Sequence, residues 1–268
     1  MNKVILITGA STGIGHATAK YLAEQGHTVY GAARRIEKMQ DLKTLGVKIL
    51  SMDVTDDASM IAGVNEILKN EKRLDVLVNN AGYGSYGALE DVLISEAKYQ
   101  FEVNIFGLAR LTQLVLPQMR EQKSGTIINV SSMGGKFGEP HGSWYHATKY
   151  AVEGLSDSLR MELKQFGINV VVIEPGAIET EWTGIAKDNL LKTSGNTAYK
   201  ELATKHAKLF ANIKGSDPIV IAEVIAKAIS ASKPKTRYVA GKLAKLILFV
   251  RRMVSDRIFD DIMLNNLK

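Results

Sequence analysis

Short runs of β-branched residues alternate with helical patterns along most of this chain. Strands separated by helices of about ten or more residues form βαβ units, which build a parallel sheet covered on both faces. Right-handed crossovers then predict a single α/β domain with a doubly wound, seven-stranded parallel sheet, whose ligand crevice lies at the carboxyl ends of the strands. The predicted strands are 4–8, 29–33, 47–52, 76–79, 126–131, 169–174 and 237–240, and the predicted helices lie near 14–25, 56–70, 95–122, 143–165 and 218–231.

The composition excludes several kinds of site. The chain has no cysteine, which excludes disulfides, thiolate metal sites and a cysteine nucleophile. Its five histidines form no ligand-spaced pair, so we predict no metal site. No apolar run reaches the roughly 18 residues of a membrane span. A chain without cysteine fits a reducing compartment, and we expect a cytoplasmic protein.

The net charge of +6 is concentrated near the C-terminus. Residues 233–257 hold eight basic residues and one acid, a net charge of +7, so the rest of the chain carries −1. A nucleic-acid surface needs basic residues along a docking face, usually with stacking aromatics, and the sequence has no such stripe. We therefore predict no nucleic-acid partner.

A glycine-rich loop joins the first predicted strand to the first helix. Gly9 allows a sharp turn, Gly13 lets the backbone approach a pyrophosphate, and Gly15 lets the helix pack close to the sheet. The helix N-terminus adds unpaired N–H groups and a positive dipole. A glycine-rich turn without a ligand is the alternative, but the flanking strand and helix favour a Rossmann-type dinucleotide site. The loop residues expected to share this site are Ser11, Thr12 and Ile14.

The end of the second predicted strand indicates which dinucleotide binds. An NAD enzyme places a carboxylate here for the ribose 2′-hydroxyl, whereas this chain has Ala33 followed by Arg34 and Arg35. Arginine suits a 2′-phosphate by its charge and by its planar fork of donors. We therefore predict NADP (NADPH) as cofactor; the alternative is that both arginines merely begin a solvated helix.

Asp53 ends the third predicted strand region, and Val54 follows it. At that position a carboxylate can accept a hydrogen bond from the adenine amino group, and Val54 is expected to contact the cofactor beside it. Asp53 could equally cap the helix that begins near residue 56. The sequence leaves these two alternatives open.

Three residues in the middle of the chain can together move a proton to or from an alcohol. Tyr145 and Lys149 lie four residues apart in a helical pattern and so share a face, and Ser132 ends a strand thirteen residues before the tyrosine. The spacing alone is weak, because Tyr238 and Lys242 match it without a hydroxyl thirteen residues back. On a chain with a nucleotide loop, the trio predicts hydride chemistry at a carbonyl.

Taken in order, these motifs resemble those of the short-chain dehydrogenase/reductase family. The matches run from residue 8 to residue 180, and residues 234–241 resemble the branch with hydroxysteroid, retinol and acyl-dihydroxyacetone-phosphate reductases. The resemblance implies a single-domain oxidoreductase that acts on CH–OH groups. The matching motifs are Thr8-Gly-x-x-x-Gly-x-Gly15, Asp53, Asn79-Asn80-Ala81-Gly82, Asn104, Ser132, Tyr145-x-x-x-Lys149 and Pro175-Gly-Ala-Ile-Glu-Thr180.

The resemblance also implies residue roles. Tyr145 is expected to be the general acid in reduction and the base in alcohol oxidation, with its pKa lowered by Lys149, which also binds the nicotinamide ribose. Ser132 is expected to hold the substrate oxygen, and Asn104 to fix a water that links Lys149 to solvent. The alternatives are a surface position for Asn104, Ser131 in place of Ser132, and a plain turn at Pro175 and Gly176. The further implied cofactor contacts are Asn80, Ala81, Gly82, Pro175, Gly176, Ile178 and Thr180.

Apolar side chains are predicted to shape the substrate pocket. The substrate-site candidates are Met133, Phe137 and Trp182, together with Ser132 and Tyr145. The polar segment 179–216, which has no predicted strand and only short helical patterns, is the expected flap. These residues favour a bulky hydrophobic ketone or aldehyde, although ordinary packing under a loop is the alternative. The family commonly forms homodimers or homotetramers through the helices near 95–122 and 143–165, so we expect a homo-oligomer.

Residues 242–268 form a predicted C-terminal arm beyond an NADP-binding domain of residues 1–241. Apolar and basic residues recur there at helical spacing, which predicts one basic amphipathic helix. Such a helix can lie on an anionic membrane; packing on the body, closing the pocket and joining subunits are the alternatives. Two other functions stay open, a non-catalytic regulator that senses dinucleotide and a membrane-peripheral reductase of a lipid ketone. The apolar residues are Leu243, Leu246, Ile247, Val250, Met253, Val254 and Ile258.

Overall fold

The computed structural model describes residues 2–267. They form a seven-stranded parallel sheet in the order β3-β2-β1-β4-β5-β6-β7, with helices on both faces. The predicted Rossmann-type fold is confirmed, and every predicted strand end lies within a residue or so of the observed one. The strands are β1 (Val4–Thr8), β2 (Thr28–Ala33), β3 (Lys48–Ser51), β4 (Val76–Asn79), β5 (Gly125–Val130), β6 (Ile168–Pro175) and β7 (Arg237–Ala240).

Two layers of helices cover the sheet because its central strands are apolar on both faces. Ile5 and Ile7 of β1 face one core, and Leu6 between them faces the other. Burial on both sides is what a parallel sheet requires. The helices are α1 (Gly13–Glu24), α2 (Gln40–Thr44), α3 (Asp57–Glu71), α4 (Ile94–Phe101), α5 (Gly107–Glu121), α6 (Ser143–Leu163), α7 (Glu181–Ser194), α8 (Lys200–Asn212), α9 (Ile219–Ser230), α10 (Ala244–Met253) and α11 (Asp256–Asn265).

The strand order places the ligand crevice. β1 lies between β2 and β4, so the chain crosses the sheet in opposite directions on either side of β1. The loops that leave the carboxyl ends of β1 and β4 therefore diverge, and a crevice opens between them. The glycine-rich loop after β1 lies at this point, with Gly9 and Gly13 at positive φ of 68° and 57°.

The predicted helix over 95–122 is interrupted. One turn of π-helix, Glu102–Phe106, separates α4 from α5 and carries Asn104. A π turn widens the helix locally and often marks a functional position. The apolar pattern continues through it, so periodicity could not predict the break. The short helix α2, after a 3₁₀ turn at Ile36–Met39, was also not predicted.

The segment 179–216 forms two full helices, α7 and α8, and the expectation of only short helical pieces was wrong. Ala186 and Leu190 of α7 are buried in one cluster with Ala203 and Ala207 of α8. Small side chains let the two helices approach closely. Each helix buries only a narrow stripe, which explains why the segment reads as polar.

The C-terminal arm is two helices, and the prediction of a single helix was wrong. The chain becomes extended at Val254, with φ −118° and ψ 157°, and α11 begins at Asp256. Phe259 of α11 is buried and packs on Phe137, with ring centroids 5.4 Å apart. Over residues 2–267, no helix has the length and hydropathy to cross a bilayer.

Candidate active site

A cavity of about 640 Å³ runs along the carboxyl ends of the strands. Gly15 and Asn104 do not line the cavity, but each contacts residues that do. Gly15 lies against Gly9 and Asn80, and Asn104 hydrogen-bonds to Tyr83. In the part of the chain that the structure describes, no group of three or more His, Asp or Glu side chains could hold a metal. The sequence-predicted residues that line the cavity are Gly9, Ser11, Thr12, Gly13, Ile14, Arg34, Arg35, Asp53, Val54, Asn80, Ala81, Gly82, Ser132, Met133, Phe137, Tyr145, Lys149, Pro175, Gly176, Ile178, Thr180 and Trp182.

Backbone contacts fix the glycine-rich loop. A Cβ on Gly15 would overlap the carbonyl oxygen of Gly9 and lie 2.5 Å from Nδ2 of Asn80. That amide donates to the carbonyl oxygen of Thr8 at 2.9 Å, and the Thr8 hydroxyl accepts from the backbone N–H of Asn80 at 3.1 Å. Asn80 therefore ties the end of β4 to the loop after β1, and the loop has no room for a side chain at residue 15.

Both arginines after β2 line the cavity, and Arg35 reaches the glycine-rich loop at Ser11. Arg34 donates to the hydroxyl of Tyr99 at 3.0 Å. Arg35 donates to Glu181 at 3.2 Å, and Lys38 contacts the same carboxylate at 2.8 Å. Hydrogen bonding to Lys38 is the largest influence that holds the pKa of Glu181 below its ordinary value. Glu181, Lys38 and Tyr99 were not among the predicted residues, because no short motif contains them.

Asp53 does not cap the next helix, so that alternative was wrong. The cap of α3 is Asp56, whose carboxylate accepts from the N–H of Ala58 at 3.0 Å. Asp53 instead accepts from the N–H and the hydroxyl of Thr55 at 2.9 and 2.8 Å. Its second oxygen lies 3.9 Å from Arg34, at the cavity wall.

Tyr145 lies in the first turn of α6, and Ser132 follows β5 at the same end of the sheet. The Ser132 hydroxyl accepts from the N–H of Gly134 at 3.0 Å, which fixes the turn that leads away from the strand. Burial raises the pKa of the Tyr145 phenol to about 12, and Ser132 lowers it by a smaller amount. The phenol pKa is therefore above its ordinary value and not below it, so Tyr145 carries its proton at neutral pH. Ser131 lines the cavity as well as Ser132.

Lys149 is buried one helical turn after Tyr145. Its ammonium donates to the carbonyl oxygen of Val130 at 3.0 Å and lies 5.8 Å from the centre of the Tyr145 ring. Burial lowers the pKa of Lys149 to about 8, and the carboxylate of Glu153 opposes that shift. The lysine is therefore the group of this pair that changes charge near neutral pH.

Asn104 is buried in the π turn, so the alternative of a surface helix position was wrong. Its amide donates to the carbonyl oxygen of Tyr83 at 2.9 Å and to the hydroxyl of Thr148 at 3.0 Å. A Cβ on Gly82 would lie 3.0 Å from Oδ1 of Asn104 and 3.8 Å from Nζ of Lys149. The amide and the ammonium thus flank one point beside Gly82.

An aromatic cluster forms the other end of the cavity. Tyr86 lies 5.7 Å from Tyr145, 5.7 Å from Trp182 and 5.2 Å from Phe210, measured between ring centroids. All four rings line the cavity. Trp182 and Tyr145 were predicted from the sequence, whereas Tyr86 and Phe210 were not, because they are distant in the chain and belong to no motif.

One carboxylate stands among these rings. Glu139 lines the cavity and accepts a hydrogen bond from the Tyr86 hydroxyl at 2.7 Å. His146 places Nε2 at 3.6 Å from the same oxygen, while its Nδ1 lies 2.7 Å from the carbonyl oxygen of Gly134. Burial by itself raises the pKa of Glu139, but His146, His206 and the Tyr86 hydroxyl together outweigh it, and the net pKa lies below the ordinary value. The aromatic end of the cavity therefore contains an ionised group that no sequence motif indicated.

Comparison with known proteins identifies the family. The pattern that describes the short chain dehydrogenase family matches residues 3–190. The chain belongs to the short-chain dehydrogenase/reductase family. It is therefore an oxidoreductase with a nicotinamide nucleotide cofactor and a small-molecule substrate.

Similar proteins extend over nearly the whole chain. A 3-ketodihydrosphingosine reductase of Bacteroides thetaiotaomicron is 37% identical over 249 residues, which cover 91% of this chain and 90% of the relative. An NADPH-dependent 3-dehydrocapnine reductase of Ornithobacterium rhinotracheale is 36% identical over 284 residues, covering 98% and 96%. The crystal structure of a short-chain dehydrogenase from Streptomyces avermitilis is 36% identical, with a TM-score of 0.84 and coverage of 94% and 93%.

Proposed function

We propose that this protein uses NADPH to reduce a hydrophobic ketone or aldehyde, with Tyr145 as the general acid. One observation carries the proposal: a protonated, buried phenol lies beside a buried ammonium in a cavity that also contains the glycine-rich loop. A non-catalytic sensor of dinucleotide would need neither group at this position.

The chain's own residues account for cofactor binding. The loop of Gly9 and Gly13 and the N-terminus of α1 present N–H groups suited to a pyrophosphate. Arg34 and Arg35 are proposed to bind a 2′-phosphate, which competes with Glu181 for Arg35. Further proposed contacts are Asp53 and Val54 at the adenine, Asn80, Ala81 and Gly82 along the dinucleotide, and Pro175, Gly176, Ile178 and Thr180 at the nicotinamide.

Proton transfer is proposed to follow from the arrangement of α6 and β5. The reduced nicotinamide supplies a hydride for the carbonyl carbon when it is bound. The Ser132 hydroxyl holds the carbonyl oxygen, and Tyr145 gives that oxygen its proton, so the ketone becomes an alcohol. Lys149 and Asn104 flank a point at Gly82 through which a proton can return to the phenolate. Because the phenol pKa is raised to about 12, the protonated form that reduction needs prevails at neutral pH.

The substrate end of the cavity supports an apolar substrate. Tyr86, Trp182 and Phe210 offer aromatic surface, and Phe137 closes the wall against α11. Residues 179–216 are proposed to be the flap over this end, within an NADP-binding domain of residues 1–241. The alternative of simple packing under a loop is disfavoured because the rings not only pack on one another but also line the cavity.

A panel of apolar ketones, aldehydes and their alcohols, assayed with NADPH and with NADH, tests the proposal. We expect NADPH to be oxidised with at least one ketone or aldehyde, and NADH to serve less well. Tight NADPH binding without turnover of any carbonyl or alcohol would instead support the sensor. An NADH preference would overturn the cofactor assignment alone.

We further propose that the C-terminal arm, residues 242–268, binds an anionic membrane surface. Its α10 and α11 dock on the body through buried residues such as Ala244 and Phe259. Their outward face leaves Leu246, Phe249 and Met253 exposed. Lys245 and Arg252 lie beside this stripe, and basic residues next to exposed apolar ones favour a surface of anionic lipid.

Co-sedimentation with vesicles tests the membrane proposal. We expect more protein to bind vesicles of phosphatidylglycerol than of phosphatidylcholine, and Met253→Ser to reduce binding. Met161→Ser is the matched control, because Met161 on α6 is 68% exposed and Met253 is 66% exposed. Equal binding to both vesicles, or equal effects of both substitutions, would contradict it. Assembly as a homodimer or homotetramer stays a prediction.

A further inference from the structure

Glu139 is the feature of the cavity that carbonyl reduction alone does not use. It lies in the loop before α6, among aromatic rings and close to the tyrosine that carries the proton. Its side chain is 19% exposed. A carboxylate in so apolar a wall is costly unless it has a partner, so its contacts indicate what it binds.

The protein contacts of Glu139 occupy only one of its two oxygens. The Tyr86 hydroxyl donates to Oε1, and Nε2 of His146 faces the same atom at 3.6 Å. Within residues 2–267 no donor lies at hydrogen-bond distance from Oε2. One carboxylate oxygen is therefore available to a ligand in the cavity.

The charge at this end of the cavity is set by Glu139 and the three histidines near it, His141, His146 and His206. The net pKa of Glu139 is below its ordinary value despite its burial, mainly because of His146. Burial, with the neighbouring His206, lowers the pKa of His141 to about 4, and burial also lowers the pKa of His206. Since both of these pKa values are lowered, His146 is the main group that can compensate the carboxylate, and it faces only Oε1.

The rings beside the carboxylate add to the attraction for a cation. Tyr86 and Trp182 lie 5.7 Å apart, with their planes at 89°, and both line the cavity. The faces of aromatic rings are negative and attract ammonium groups, most strongly where water is excluded. A carboxylate with aromatic walls is a combination that suits a primary ammonium.

We infer that Glu139, with the rings of Tyr86 and Trp182, binds an ammonium group that the substrate carries close to its carbonyl. The Tyr86 ring packs on Tyr145, and the Tyr86 hydroxyl donates to Glu139. An ammonium at Glu139 would therefore lie one tyrosine side chain away from the proposed proton donor. The substrate class is then an amino ketone with an apolar chain. This inference rests on the proposed carbonyl reduction and specifies its substrate.

A pair of substrates that differ only in the amine tests the inference. We would compare a 2-amino-3-ketone with a straight alkyl chain and the 3-ketone of the same chain without the amine, using NADPH and the full-length protein. The wild-type protein is expected to show the higher kcat/KM for the amino ketone. Glu139→Gln is expected to reduce that preference about tenfold or more, because a charge-assisted hydrogen bond is lost.

Glu90→Gln is the matched control. Glu90 also accepts a hydrogen bond from a tyrosine hydroxyl, that of Tyr199 at 2.8 Å, but lies on the exposed surface away from the cavity lining. We expect this variant to keep the wild-type preference. Competitive inhibition of the wild-type protein by hexylammonium, stronger than by hexanol, gives a second readout that needs no variant.

The outcomes separate the inference from the function on which it rests. Equal losses for both ketones in Glu139→Gln would mean that Glu139 only orients Tyr86 and His146, and would overturn the inference. Wild-type protein that reduces both ketones equally well, or that hexylammonium inhibits no better than hexanol, would overturn it too. Failure of the wild-type protein to reduce any carbonyl in the wider panel would overturn the proposed function itself.

Discussion

The two ends of the cavity are built differently. At the nucleotide end, the backbone of the glycine-rich loop is tightly packed, and a Cβ on Gly15 behind the cavity wall would overlap the carbonyl oxygen of Gly9. At the substrate end, the surface is made of the side chains of Tyr86, Glu139 and Trp182. Close backbone packing therefore fixes the shape of the nucleotide end, whereas a few side chains determine the chemistry of the substrate end. Substitutions should separate cofactor binding from substrate choice accordingly.

Substitution of Tyr145, where the two ends meet, should reduce activity most. Tyr145→Phe removes the proton donor while the ring can stay in the aromatic cluster. We expect kcat for carbonyl reduction to fall about 10²- to 10⁴-fold, with NADPH binding largely kept. Steady-state kinetics and NADPH fluorescence titration measure the two quantities. Activity near the wild-type level would remove Tyr145 from the mechanism.

The backbone-built end predicts an effect on stability. Gly15→Ala places a methyl group against the Gly9 carbonyl and the Asn80 amide, and overpacking of this kind costs about 1–3 kcal/mol. Gly154→Ala on α6 is the control, because a Cβ there meets nothing within 4 Å. Thermal unfolding should show a lower Tm for the first variant and an equal or higher Tm for the second. An unchanged Tm and unchanged NADPH affinity in Gly15→Ala would contradict the steric account.

The pH dependence distinguishes the two ionisable groups at the meeting point. Lys149, with a pKa lowered to about 8, loses its charge as the pH rises through 8, whereas Tyr145 keeps its proton until about 12. We expect kcat/KM for reduction to fall about tenfold per pH unit above 8. Unfolding does not explain such a fall. Between pH 8 and 10.5 the lysine is protonated in the unfolded chain but not in the folded one, so the free energy of unfolding rises with pH. A flat profile to pH 10 would exclude Lys149 as the controlling group.

Cofactor choice is expected to show a smaller effect, since both arginines are exposed at the cavity edge. Arg35→Ala should raise the KM for NADPH by about tenfold and leave the KM for NADH nearly unchanged. Glu181→Gln should lower the KM for NADPH, because Glu181 binds Arg35 and Lys38 in this structure. Equal effects of Arg35→Ala on both cofactors would argue against a 2′-phosphate contact.

The sheet and the nucleotide end could be predicted from the sequence because their signals are local. β1 and β4 are short apolar runs that fit only a strand buried on both faces. Gly9 and Gly13 mark positive φ in a loop that few other sequences can adopt. In contrast, the π turn at Glu102–Phe106 continues an apolar helical pattern, so the sequence alone indicated an unbroken helix.

The substrate end depends on contacts between distant residues, which no short motif encodes. Tyr86 and Glu139 are 53 positions apart in the chain, yet the hydroxyl of one contacts the carboxylate of the other. α7 and α8 were underestimated because each buries little more than a stripe of small residues such as Ala186 and Ala203. Apolar character was visible at Trp182 and Phe137, but the charge at Glu139 among them was not.

Transfer of deuterium from NADPH labelled with two deuterium atoms at C4 would show whether this protein reduces a carbonyl by hydride transfer that depends on Tyr145. Mass spectrometry of the alcohol formed from a reduced ketone would detect the label whichever face of the nicotinamide reacts. We expect one deuterium on the carbinol carbon with the wild-type protein and almost no labelled alcohol with Tyr145→Phe. Unlabelled alcohol, or equal labelled product from both proteins, would contradict it.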